Sequence, residues 1–153
     1  MQIDGKFLVK GKINDVWALV LEPGTLASCI PGAEKIESTD NKTYNCLVKQ
    51  SVGPISVKLQ FVVVLTEITP PTYVKAVGRG EALGKLGTFG INLTVHLAEQ
   101  AAGGCEIDYK ADVSMVGKLA TFGERIMRAK VKSVGDEFTR NLEKKLKEKT
   151  GSC

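Results

Sequence analysis

Histidine is almost missing from this chain: His96 is the only one in 153 residues. A serine-histidine-acid triad would have to use it, and no nucleophile elbow accompanies it. No catalytic residue is therefore expected. The four cysteines, Cys29, Cys46, Cys105 and Cys153, have no close-paired spacing, so they do not read as a zinc site. They read as reduced thiols, three of them buried, in a cytoplasmic protein. No metal and no cofactor is expected. An apolar run of about eighteen residues, the least that crosses a bilayer, is also lacking. The start, Met1-Gln2-Ile3-Asp4, has neither the basic nor the apolar region of a signal peptide. The net charge of +4 is mild and its basic residues are interleaved with acids, which argues against a nucleic-acid partner. Gly84, Gly87 and Gly90 do not lead from a parallel strand into a capped helix, so a dinucleotide or phosphate loop is not expected.

What is present is periodicity. From Gly117 to about Lys149 the residues Leu119, Phe122, Ile126, Ala129, Val134, Phe138 and Leu142 recur at helical spacing, and charged residues take most of the other side. This predicts one long amphipathic helix of roughly 45 Å, with a sheet as its partner. Past Glu143 only Leu146 is large and apolar, so the last turns are expected to protrude or fray. Their lysines, Lys144, Lys145, Lys147 and Lys149, suit a solvated helix end or weak peripheral contact with an anionic membrane.

Upstream, Gln2 to Lys10 alternates as a first strand. Asn14 is a candidate helix cap for a short helix through Val20. Pro23-Gly24 stops it, Thr25 to Ile30 makes a second short helix, and Pro31-Gly32 stops that. Six strands follow: Ala33–Ser38, Thr43–Val52, Ile55–Ile68, Tyr73–Ala82, Thr88–Ala98 and Cys105–Val116. Short turns between consecutive strands imply an antiparallel meander. The fold class is α+β, in a single domain over residues 1–153: a seven-stranded antiparallel sheet wrapped around a long C-terminal helix, with two short helices after the first strand.

Parity assigns the faces. Leu59 and Phe61, Phe89 and Ile91, and Tyr109 and Val113 lie on the apolar faces of their strands. His96 falls on the wet face with Asn92 and Thr94. In Tyr73–Ala82 the charges Lys75, Arg79 and Glu81 share one face, and Val74, Ala76, Gly78, Gly80 and Ala82 share the other. That row of small residues opposite a helix leaves either volume for an apolar ligand or close backbone packing and strand curvature. Phe61, Phe89, Tyr109 and Phe122 either line such a tunnel or fill it. Trp17 reads as core. Leu26 and Ile30, between Pro-Gly stops, are candidates for a lid.

Several stretches together resemble one family. They are Val16-Trp17, Leu26 with Cys29-Ile30-Pro31-Gly32 and Glu34, Val52-Gly53-Pro54-Ile55, Gly78 with Gly80, and Val116-Gly117-Lys118-Leu119-Ala120 with Gly123 and Arg125. The chain resembles the CoxG-like family of carbon monoxide dehydrogenase subunits, within the START/Bet v 1-like helix-grip superfamily. The resemblance implies a hydrophobic tunnel between sheet and helix, with the two short helices as a lid. Superfamily members bind lipids, sterols, polyketides and plant hormones there. CoxG-like members accompany molybdenum-containing carbon monoxide dehydrogenases, with proposed roles in membrane recruitment and in handling a hydrophobic electron carrier. Many carry a C-terminal extension that reaches the membrane. This chain ends at Cys153 without one, an expectation against direct anchoring.

Together these readings predict non-enzymatic binding of a quinone- or lipid-like molecule. The expected contacts are Leu26 and Ile30 of the lid, Leu59, Phe61, Ala76, Gly78, Phe89, Ile91, Tyr109 and Val113 of the sheet, and Phe122 and Ile126 of the helix. The alternative is an accessory or recruitment factor for a molybdenum hydroxylase-type enzyme, cytoplasmic and peripheral to the inner face of the membrane.

Overall fold

Alternating apolar and polar residues form seven strands in the computed structural model, which describes residues 1–150. They are β1 (Gln2–Val9), β2 (Ala33–Ser38), β3 (Thr43–Val52), β4 (Ile55–Thr69), β5 (Tyr73–Ala82), β6 (Gly87–Glu99) and β7 (Cys105–Val116). One antiparallel sheet holds them in the order β1-β7-β6-β5-β4-β3-β2. The meander from β2 to β7 follows from its tight turns, and β1 closes the sheet against β7. The α+β helix-grip arrangement is the one expected, and β4 and β6 run slightly longer than their sequence pattern.

Two helices follow β1. α1 spans Ile13–Val20 and α2 spans Pro23–Cys29. Asn14 is not the cap of α1: Lys12 holds that position, without a side-chain cap bond. Pro23 opens α2 instead of ending α1. Its fixed φ and missing N–H suit a first helical turn, so only Leu21 and Glu22 separate the two helices.

The closing helix differs from its expected form in two ways. It is not continuous from Gly117. Gly117–Phe122 is a 3-10 turn, and Gly123, at φ +84°, breaks the chain before α3 begins at Glu124 and runs to Thr150. A positive φ is open to glycine at little cost, and it redirects the backbone between turn and helix. Secondly, the helix stays in the core past Glu143, as far as Leu146. Leu142 is 0% exposed and Leu146 2% exposed, in one cluster with Val9, Val16, Leu19, Leu97, Cys105 and Ile107. Two leucines at i and i+4 suffice because α1, β1, β6 and β7 converge on them. The side chain of Lys149 and the thiol Cys153 lie outside the described residues; Cys29, Cys46 and Cys105 are free and buried.

A second cluster, Ile36, Tyr44, Cys46, Leu65, Val74 and Ala76, lies under α2, with Leu26 and Ile30 packed on it. Trp17 packs against both clusters. By contrast, Ile126 in the first turn of α3 is 46% exposed. The C-terminal half of α3 is therefore core, and its first turns are not.

Truncating a buried leucine removes transfer energy and leaves a void. Leu142→Ala and Leu146→Ala should each cost about 2–5 kcal/mol in urea unfolding, and Ile126→Ala under about 0.5 kcal/mol. Equal costs at all three sites would contradict the division of α3 into a core half and an open half.

Candidate functional site

Register builds the concave face of the sheet in rungs. Phe61 of β4 pairs with Gly80 of β5, Gly80 with Phe89 of β6, and Phe89 with Met115 of β7. The next rung runs Val63, Gly78, Ile91 and Val113. The one after runs Leu65, Ala76, Leu93 and Ala111. Each rung is large, small, large. Without a side chain on Gly80, the rings of Phe61 and Phe89 meet above it edge to face, with centroids 5.6 Å apart. A Cβ on Gly78 would come within 2.7 Å of Ile91 Cγ2, and a Cβ on Gly80 would strike Phe61 Cβ and the Gln60 carbonyl. The volume opened by the two glycines is thus filled by neighbouring side chains. Close packing, the second of the two readings left open by the sequence, explains them.

The layer above this floor is unevenly covered. Along β4, Val57 and Leu65 are buried, but Leu59, Phe61 and Val63 between them are only half-buried. Along β6, Leu97 is buried and Phe89, Ile91 and Leu93 are half-buried. Val113 and Met115 of β7 are half-buried too. These side chains face α3, yet the elements packed most closely on α3 are α2, β1, α1 and β3. The C-terminal half of the helix is packed into the core, while the inward side chains of the middle strands stay only half-buried. Met127 and Val131 of α3 are half-buried as well. These half-buried side chains outline an apolar groove on the concave face, toward the N-terminal half of α3.

Half of the expected contact residues meet there. Leu59, Phe61, Phe89, Ile91 and Val113 form its floor, with Gly78 beneath them. Ala76 lies deeper, under α2 with Leu26 and Ile30. Phe122 is half-buried in the 3-10 turn, and Ile126 is turned outward. Tyr109 stacks on Phe7 at 5.4 Å and covers Gly5, so it seals the margin between β1 and α3. Val63, Leu93 and Met115 were not singled out, although their parity marks them as equally inward.

Polar groups around the groove are mostly engaged in holding the fold. The Tyr44 hydroxyl donates to the Leu21 carbonyl at 2.6 Å, and Asn141 Nδ2 donates to the Cys29 carbonyl at 2.9 Å. Gln50 Nε2 donates to the Pro31 carbonyl. These three bonds fasten both ends of α2, the expected lid, to β3 and α3. His96 is exposed on the convex face and packs against Tyr73 with ring centroids 4.7 Å apart. Among the described residues no group of three or more metal-ligating side chains converges, and no helix is long and apolar enough to cross a membrane.

A second concavity, a cleft of about 440 Å³, opens where β2 stops short of β3 beside the middle of α3. Glu34, Gln50, Ser51, Lys130, Val134 and Glu137 are among its walls. No sequence periodicity marks it, because it arises from three distant segments meeting. Burial in the α2 cluster pushes the Cys46 thiol up to about 11 and raises the Tyr44 hydroxyl above its ordinary range, with Cys46 adding to that rise.

A profile of the CoxG family of carbon monoxide dehydrogenase subunits matches residues 5–147. The crystal structure of a conserved protein from Geobacillus kaustophilus superposes with a TM-score of 0.88 at 21% identity, covering 97% of this chain and 96% of that one. Zhui aromatase/cyclase from a Streptomyces species gives 0.69 at 10% identity, over 98% and 95%. Truncated norcoclaurine synthase from Thalictrum flavum gives 0.58 at 17% identity, over 92% and 91%. At these identities the likeness is one of fold, and two of the three similar structures are of named enzymes. No curated protein matches the chain in sequence.

Two outcomes test the floor and its buried thiol. Gly80→Ala meets backbone and should destabilise the protein by roughly 1–3 kcal/mol, whereas Gly78→Ala meets a movable methyl and should cost less; the reverse order in urea titrations would refute the packing account. The Cys46 value is raised in the fold, so its stabilisation is complete below pH 9, the ordinary thiol value, and is lost as pH rises toward 11. Thermal unfolding of wild type against Cys46→Ala over that range should show the wild type losing more stability, and parallel curves would remove the effect.

Proposed function

We propose that this chain, which belongs to the CoxG family of carbon monoxide dehydrogenase subunits, holds a hydrophobic small molecule, quinone- or lipid-like, in the groove beneath the first turns of α3, without catalysing a reaction on it. The observation that carries this reading is the row of inward apolar side chains, Leu59, Phe61, Phe89, Ile91 and Val113, that are only half-buried. A sheet face that packs solely on its helix leaves few such side chains open, because protein interiors pack densely. Covering about 300 Å² of apolar surface is worth roughly 7.5 kcal/mol before association costs. Affinity then needs few polar contacts. The fold's enzyme neighbours do not oppose this, since fold and chemistry are separable.

A second reading, an accessory or recruitment factor for a molybdenum hydroxylase-type enzyme at the inner face of the membrane, is favoured by a different feature. Val116 is 67% exposed, close in sequence to the exposed Lys118, Arg125 and Ile126. An apolar and basic surface of this kind suits a partner better than the C-terminal lysines do. Those lysines flank Leu146, which is core, so deleting residues 143–153 would destabilise the fold as well as remove the charges.

Native mass spectrometry of the purified protein, with solvent extraction, tests the first reading. An apolar species of defined mass, or uptake of an offered quinone or lipid, is expected. Ile91→Trp and Val113→Trp fill the groove and should abolish uptake while circular dichroism stays native. A clean apo mass with no uptake, or undiminished uptake by folded tryptophan variants, would sink the groove reading and leave the recruitment surface, testable by Val116→Ser with Ile126→Ser in a pull-down.

A further inference from the structure

We propose that the cleft beside α3 seats the anionic end of the bound molecule, which is therefore an amphiphile: its apolar body lies in the groove, and a carboxylate or comparable anion lies at Lys130. This rests on the groove reading above and specifies the ligand class.

Two inward-facing residues wall the cleft. Gln50 stands on the concave face of β3, between the buried Val48 and Val52, and also walls the cleft. Val134 belongs to the inward stripe of α3 and walls it from above. A molecule lying on Leu59 and Phe61 has the cleft next to it, because Leu59 pairs with Val48 and Val57 with Gln50.

The charges in the cleft are unequally placed. Lys130 is half-buried, while Glu34 and Glu137 are exposed. Glu34 is already paired with Lys58 Nζ at 3.4 Å. Glu137 is seven residues along α3, about 10 Å from Lys130 at the helical rise. Among the described residues no carboxylate comes within ion-pair distance of Lys130. An ammonium drawn partly out of water beside an apolar groove, with no carboxylate within ion-pair distance, is stabilised by an anion placed there.

Uncharged donors surround it. Ser133 Oγ lies on the same helix face. The backbone of Ser51 adds another. Lys49 N–H bonds to the Gly32 carbonyl on the β2 side, and in an antiparallel strand alternate residues face the same neighbour, so Ser51 N–H points the same way. β2 begins at Ala33, which pairs with Val48, and leaves that amide facing the cleft. A cation, a hydroxyl and an amide converging on one opening suit a small anion, and charge-assisted bonds are the stronger kind.

The neutral fluorophore N-phenyl-1-naphthylamine reports occupancy of the groove, and dodecanoate and methyl dodecanoate compete for it. Dodecanoate should displace the probe about tenfold more effectively than its ester. Lys130→Gln should reduce dodecanoate to the ester's affinity and leave the ester and the probe unchanged. If acid and ester compete equally in the wild type, or if Lys130→Gln weakens both alike, the anion seat is overturned and the groove reading survives. If the probe does not bind and neither compound is taken up, the groove reading falls and the anion seat falls with it. Acetate displacing neither probe nor dodecanoate is expected; displacement of dodecanoate by millimolar acetate would mean that the cleft binds free anions independently of the groove and would overturn the amphiphile.

Discussion

Everything above the sheet depends on how α3 is fixed at its far end. Leu142 and Leu146 enter the cluster made by α1, β1, β6 and β7, and Asn141 ties the same stretch to the end of α2. At the other end the buried Leu119 of the 3-10 turn donates its N–H to the Leu86 carbonyl. A helix of 27 residues is roughly 40 Å long and stiff on that scale. Held at both ends, it needs no filling beneath its first turns to keep its place. The groove is thus permitted by its supports.

The floor follows the same economy. Two glycines and two alanines on β5 let β4 and β6 approach through their large side chains, so Phe61 meets Phe89 and Val63 meets Ile91 over a strand that contributes almost no bulk. Glycine weakens a strand interior, and here its neighbours on both sides compensate by packing. The floor is therefore continuous, apolar and low. A floor of uniformly large residues would rise toward α3 and close the groove.

Strand pattern made the fold readable. Period-two alternation marked all seven strands, and the bounds of β2, β3, β5 and β7 agree with it to the residue. What the pattern hides is where an inward face is covered. Ile126 and Leu146 both belong to apolar helical positions, yet one is exposed and the other is buried, because coverage is decided by α1 and β7, which are far away in sequence. The fraying expected after Glu143 failed for that reason. The break at Gly123 was legible only as a glycine, since apolar spacing continues across it. Tyr109 shows the same limit: its parity is inward, but Gly5 opposite it draws the ring to the sheet margin. The cleft had no signal at all, being assembled from the end of α2, the uncovered end of β3 and the middle of α3.

The distribution of polar groups explains why the groove and the cleft divide their roles. Tyr44 and Gln50, on the inward face of β3, spend their hydrogen bonds on Leu21 and Pro31, and the Cys46 thiol is held in its neutral form by burial. Proton transfer requires a group poised near the working pH, and a thiol raised to about 11 is not one. The groove floor consequently offers an apolar contact surface, whose energy grows with area and is indifferent to orientation. Direction must come from outside it. On the proposal above, the half-buried Lys130 would supply that, beside the stretch of β3 that β2 leaves unpaired, where the inward-facing Gln50 and Val134 wall the cleft. On the proposed reading, apolar area would set how tightly a molecule is held, and a single charge would set which way round it lies.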